Sequence, residues 1–139
     1  MRWAKGKTIC KELARTTSVT FTKGNLVQLT SGLVATATAQ SVIHVGIILQ
    51  SVASSDSDFA TAGSKVLVEI PLDPSCELES AVTGTLLTTD IGVRFDLSDA
   101  STVNQDGTTY KVVTCKKFIS TAKGRFTLKS NLDTRDSAS

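Results

Sequence analysis

From residue 18 onward, apolar and polar positions alternate in short runs. Ser18–Lys23 places Val19 and Phe21 on one side of an extended segment and Thr20 and Thr22 on the other. That period of two marks a half-buried strand. Asn25–Thr30 and Leu33–Thr38 are two more such runs, and the Ser31-Gly32 pair between them predicts a tight hairpin. Lys65–Ile70 sets Val66, Val68 and Ile70 on one face, and Pro71, which has no N–H for a ladder, predicts its end. Further strands are predicted at Thr85–Thr88, Gly92–Leu97, Thr109–Phe118 and Gly124–Lys129, with turn residues at Thr83-Gly84, Asp106-Gly107 and Lys123-Gly124. Ser51–Ser64 reads as a polar loop, Leu72–Glu79 as an acidic connector and Asn131–Ser139 as a frayed tail.

One run breaks the alternation. In SVIHVGIIL, residues 41–49, apolar side chains fall on both faces, and a strand apolar on both sides is buried on both sides. The second cover is expected from a neighbouring subunit, with Ile43, His44 and Ile48 at the contact, or else from a loop or helix of the same chain. Many short strands with frequent turns, and no sustained helical period, predict an all-β fold: a small β-barrel or a β-tulip-like sandwich.

The N-terminal stretch MRWAKGKTICKELART has a different texture, holding the lone tryptophan and five of the 15 basic residues. Thr8–Arg15 is the one helical candidate, with Ile9, Cys10 and Leu13 on a shared face, and it is too short to stand alone in water. Three regions are therefore expected: an extended arm over residues 1–17, a β-barrel domain over 18–130 and the tail over 131–139. In the arm, Trp3, Ile9 and Leu13 offer apolar area to a partner. Arg2, Lys5, Lys7, Lys11 and Arg15 would steer it toward an acidic groove.

Length and charge narrow the function classes. With 139 residues, 40% hydrophobic and 20% charged, one domain with a modest core is expected. The longest apolar stretch, Val42–Leu49, is interrupted by His44 and falls well short of the roughly 18 residues of a membrane span. The N-terminus lacks the apolar core of a secretory signal, so cytoplasmic synthesis is expected. The net charge of +2 hides a division: residues 1–23 carry +5, residues 24–110 carry −8 and residues 111–139 carry +5. Such a pattern suits complementary contact between copies of one protein, or docking onto a larger assembly.

Candidate chemistry is sparse. Cys10, Cys76 and Cys115 are odd in number and widely spaced, which predicts neither a disulfide framework nor a zinc site. His44 is the single histidine, and its apolar neighbours predict a structural or interface residue over a catalytic one. Asp56-Ser-Asp58 lacks the later glycine and glutamate of a calcium loop. Glu77 and Glu79 share one side of an extended segment without apolar flanks to raise a pKa, so a solvated or partner-facing acidic patch is expected. No phosphate-cradling glycine loop is present, and neither enzyme activity nor a cofactor or metal is expected. Tyr110–Lys129 interleaves aromatic and six basic residues, as single-stranded nucleic-acid surfaces do. Against that, Phe118 and Phe126 fall at core positions, and the acidic middle repels a polyanion.

The chain resembles the small accessory virion proteins of tailed bacteriophages, in particular capsid decoration (cement) proteins. The resemblance rests on the early hairpin KGNLVQLTSGLVATATA, HVGI at His44–Ile47, the acidic loop SDSDFA and Thr83-Gly84-Thr85 ahead of Asp90-Ile91-Gly92. DLSDASTVN at Asp96–Asn104 and the closing KFISTAKGRFTLKS at Lys117–Ser130 complete it, over most of residues 18–130. It implies a structural virion protein on the outer capsid surface, a homotrimer bound to the major capsid protein, cementing neighbouring subunits against internal DNA pressure. Neither membrane nor direct nucleic-acid contact is expected with it. The other readings are a head–tail joining or tail-tube subunit, or a small β-barrel that binds single-stranded nucleic acid.

Overall fold

Strand β7 (Glu77–Thr83) is the hub of the molecule, hydrogen-bonded to three other strands. The computed structural model describes residues 1–41 and 43–129, so the expected tail over 131–139 lies outside the described residues. Within them the regular elements are strands and a single 3-10 turn, Thr88–Asp90. The strands are β1 (Arg2–Lys5), β2 (Thr8–Ala14), β3 (Leu26–Thr30), β4 (Leu33–Thr36), β5 (Gly46–Ile48) and β6 (Lys65–Pro71) before the hub. After it come β8 (Arg94–Asp99), β9 (Thr102–Asn104), β10 (Val113–Ser120) and β11 (Lys123–Leu128).

One edge of β7 pairs β11 in antiparallel fashion. The other edge is divided: Glu77–Glu79 pair β1, and Ala81–Thr83 pair β9 in parallel. The circuit β7-β11-β10-β8-β9 returns to β7 and makes a closed, mixed five-stranded barrel. Closure removes the free edges on which strands aggregate. The second sheet runs β2-β6-β5-β3-β4. Its two outer strands approach through an Arg15–Val34 bridge, with the Thr16 N–H donating to the Val34 carbonyl at 3.0 Å.

Each strand system has its own apolar core. Leu78, Val82, Phe95, Leu97, Val113, Cys115 and Phe126 fill the barrel; Val27, Val34, Ile48, Val66, Val68 and Ile70 fill the curled second sheet. Strands β3 and β5 lie between the two. Leu26 and Ile47 face the barrel core, while Val27 and Ile48 face the other. The Leu26 N–H also donates to the Ala100 carbonyl at 2.7 Å, tying the halves together. The doubly apolar run therefore has its second cover inside the same chain. That corrects the expected subunit contact for two of its residues: His44 is 0% and Ile48 1% exposed, so neither reaches a neighbour, whereas Ile43 is 48% exposed.

The hairpin β3–β4 forms as predicted, with Ser31 at φ 52° and Gly32 at φ 80°. Both fall in the left-handed region that a two-residue turn needs to match the twist of its strands. Gly46 in β5 has a different reason to be glycine, because an added Cβ would collide with the Glu69 backbone carbonyl of β6.

The N-terminal expectations are corrected most. Residues 8–14 form a strand, not a helix, paired with β6 from Thr8↔Pro71 to Ala14↔Lys65. Together with β1 they make the first fifteen residues part of both sheets, so no extended arm stands off the domain. The predicted strand over 18–23 is reduced to one Phe21–Val52 bridge, and 85–88 leads into the 3-10 turn. The expected acidic connector holds the start of β7.

Candidate interaction surface

Residues directly opposite in an antiparallel ladder point to the same face. On the outside of the barrel this rule gathers side chains from the two ends of the chain. Arg2 of β1 lies opposite Glu79 of β7, Glu79 opposite Arg125 of β11, and Arg125 opposite Lys117 of β10. A parallel row begins with Lys5 opposite Glu77. Lys123 stands opposite Ala81, and Arg94 opposite Thr114. Lys116, beside the bulge in β10, lines an open groove with Lys5, Glu77, Thr127 and Asp73. The result is a basic surface that follows the outside of the barrel from β1 across β7, β11 and β10 to β8, with seven basic side chains and three carboxylates.

The carboxylates do not balance the face, because two of them are occupied. Arg2 holds Glu79 at 2.9 Å and Lys5 holds Glu77 at 3.8 Å. Asp73 accepts the Ser75 N–H at 2.7 Å, and hydrogen bonds from Ser75 hold its carboxyl below the usual carboxylate range. Among the described residues Arg94, Lys116, Lys117, Lys123 and Arg125 make no ion pair. Arg125 carries a buried Nε without a hydrogen-bond partner. The Arg2–Glu79 and Lys5–Glu77 pairs are exposed on the cation side, and such surface pairs are worth about 1 kcal/mol or less each to stability. Their consequence is a positive field over one face, which steers and orients an anionic partner.

Alongside β10 runs the segment that carries the 3-10 turn. The Leu86 N–H donates to the Thr121 carbonyl at 2.9 Å, and the Gly92 N–H donates to Cys115 at 2.7 Å. Between these anchors Leu87 and Ile91 are 49% and 53% exposed, Val93 just past the second is 39% exposed, and Ile119 on the facing stretch of β10 is 38% exposed. They form an apolar tab next to Arg94, Lys116 and Lys117.

The residues expected in a gripping arm separate into two groups. Arg2 and Lys5 lie on the basic face, as above. Trp3 is partly buried on the barrel core, and its indole Nε1–H donates to the Glu69 carbonyl at 3.0 Å. Ile9 and Leu13 pack against the second core. Lys7 and Lys11 are exposed, and the Lys7 carbonyl accepts the Leu72 N–H at 3.0 Å. Arg15 is buried, with its side chain 1% exposed. Its guanidinium donates to the Asp58 carbonyl at 2.8 Å and the Phe59 carbonyl at 3.2 Å, and Asp58 Oδ1 lies 3.5 Å away. A buried cation needs such partners. Arg15 therefore fastens the 51–64 loop and offers nothing to a partner outside, and neither does the indole nitrogen of Trp3.

His44 has no hydrogen-bond partner on either ring nitrogen, and burial lowers its pKa to about 4. It is a neutral core residue at physiological pH. Cys76 and Cys115 are buried free thiols, and burial pushes the Cys115 thiol up. Among the described residues, no group of three or more His, Cys, Asp or Glu is placed to hold a metal. Phe118 packs against the barrel core and Phe126 is fully buried, so the basic face offers neither ring to a stacking base.

The basic face is not legible in local sequence because it depends on the partners of β7. The alternation Leu78, Ser80, Val82 inward and Glu77, Glu79, Ala81 outward was available as a signal, blurred by a serine at an inward position. Comparison with family models, curated proteins and solved structures returned no match.

Proposed function

We propose that this chain is a structural virion protein of a tailed bacteriophage, docking as a rigid body onto the outer surface of a capsid shell. It reinforces contacts between neighbouring major capsid subunits. The observation that carries the reading is the basic face, where β1 from one end of the chain and β10–β11 from the other meet across β7. A face with five unmatched cations orients the chain on an acidic surface and raises its association rate, while the exposed pairs add little to the fold. The strands of residues 1–15 serve this role by holding Arg2 and Lys5 in register. Ordering on docking then costs little, since the contact surface is already fixed by the ladder.

The test uses virions of the phage that encodes the chain. Mass spectrometry of purified virions is expected to find the chain at a stoichiometry tied to the capsid lattice. Particles lacking it are expected to release DNA at lower temperature. Its absence from virions, or recovery only with internal DNA-bound proteins, would overturn the reading. A labelled oligonucleotide at low and physiological salt separates the nucleic-acid class: tight binding with steep salt dependence favours that class instead.

A further inference from the structure

We infer that the apolar tab of Leu87, Ile91, Val93 and Ile119 is the anchor of the docking surface. It seats in an aliphatic depression of a protein partner whose surrounding surface is acidic. This rests on the proposed docking role and names the chemistry of its partner.

Three observations carry it. The four side chains are each between 38% and 53% exposed and lie on one stretch of β10 and its neighbouring segment. Their exposed apolar surface sums to on the order of 300 Å², the size of the largest apolar patch on a typical monomer. The segment is held at both ends, by Leu86 to Thr121 and by Gly92 and Val93 to Cys115, with Leu86 fully buried beneath it. An anchor fixed in this way loses little freedom on binding. The third is charge: Arg94 follows Val93 in the chain, Lys116 and Lys117 follow Cys115, to which Gly92 bonds, and none of the three makes an ion pair among the described residues. The carboxylate within the segment, Asp90, accepts the Leu87 N–H at 2.9 Å and the Gln105 side-chain amide at 3.4 Å.

Together these choose among partners. A phosphate backbone would meet the cations but leave the four aliphatic side chains in water, and Phe118 and Phe126 are packed on the core and stack no base. A second copy docked tab to tab would bring Arg94, Lys116 and Lys117 against their own equivalents. A protein surface with carboxylates around an aliphatic depression satisfies both the cations and the tab. Apolar anchors at the centre of a contact with charge at its rim is the usual division between affinity and orientation.

The experiment uses the full chain and DNA-free shells of the phage that encodes it, with binding followed by co-sedimentation and by association and dissociation rates. Ile91→Ser and Leu87→Ser, each on the surface, are expected to weaken binding roughly 10-fold or more through faster dissociation, with the melting temperature unchanged. Lys117→Glu is expected to slow association and flatten its salt dependence. Wild-type affinity in both tab variants with a loss in Lys117→Glu would overturn the anchor and leave the docking role standing. Wild-type affinity in all three overturns both. Oligonucleotide binding that the tab variants leave intact and Lys117→Glu abolishes would overturn the protein partner. So would a tab-dependent dimer of the chain alone in sedimentation.

Discussion

Replacing Trp3 with alanine should cost the whole molecule stability. An indole buries up to about 250 Å² when fully covered; with roughly two-thirds of that withdrawn from water, the apolar term is about 4 kcal/mol at 25 cal/mol/Å². Residual compactness of the unfolded chain trims this by about a quarter, to about 3 kcal/mol. The hydrogen bond from Nε1 to the Glu69 carbonyl contributes about another 1 kcal/mol. Trp3→Ala is thus expected to lower stability by about 3–4 kcal/mol, and Trp3→Phe by about 1–2 kcal/mol. In a domain of this size 1 kcal/mol moves the melting temperature by about 3–4 °C, so the alanine variant should melt about 10–15 °C lower. The assay is urea unfolding followed by circular dichroism, with the melting curve alongside. Because Trp3 is the single tryptophan, its emission in the wild-type protein reports directly on the N-terminal strand. It should resist iodide quenching until the cooperative unfolding transition. A stability loss under 0.5 kcal/mol in Trp3→Ala, or quenching equal to that of free tryptophan in the folded protein, would refute the assignment of β1 to the core.

Deleting residues 1–16 should leave a chain without cooperative unfolding, since it strips β1 from β7 and β2 from β6; a sharp melting transition in the truncated chain would contradict this. His44 titrates at about 4 when folded and near 6.5 when unfolded. Between those values the unfolded chain holds the extra proton, so its contribution of about 3 kcal/mol is complete above pH 6.5 and lost as pH falls toward 4. His44→Leu should flatten the stability–pH curve across that window, and an unchanged slope would show that burial does not set the titration. Gly46→Ala is expected to destabilise by about 1–3 kcal/mol, as its methyl meets the Glu69 carbonyl; chemical denaturation reads the loss, and a neutral result would mean that β5 and β6 separate freely.

Some of this was written locally. The alternation in Lys65–Ile70, the Ser31-Gly32 turn and the absence of a helical period depend on neighbours within a few residues, so the all-β class and the β3–β4 hairpin were legible. The double-sided burial of residues 46–48 was legible too, but not what supplies the second cover, because periodicity reports that a face is covered and not by which segment. For Thr8–Arg15 the apolar spacing of Ile9, Cys10 and Leu13 pointed to a helix, and β6 overrode it by offering a full ladder of partners. Local preference is a weak term beside seven paired residues.

The basic face belongs wholly to the tertiary level. The sequence by itself determined that positive charge lies at both ends of the chain and negative charge in the middle. Whether those ends meet depends on long-range pairing, since Arg2 and Arg125 become neighbours only through Glu79. The same pairing decided that Arg15 and Trp3 serve the fold while Arg2 and Lys5 serve the surface. Residue type records what a side chain is able to do; the strand it pairs with, up to 77 positions away for Arg2 and Glu79, decides which solvent, core or partner it meets.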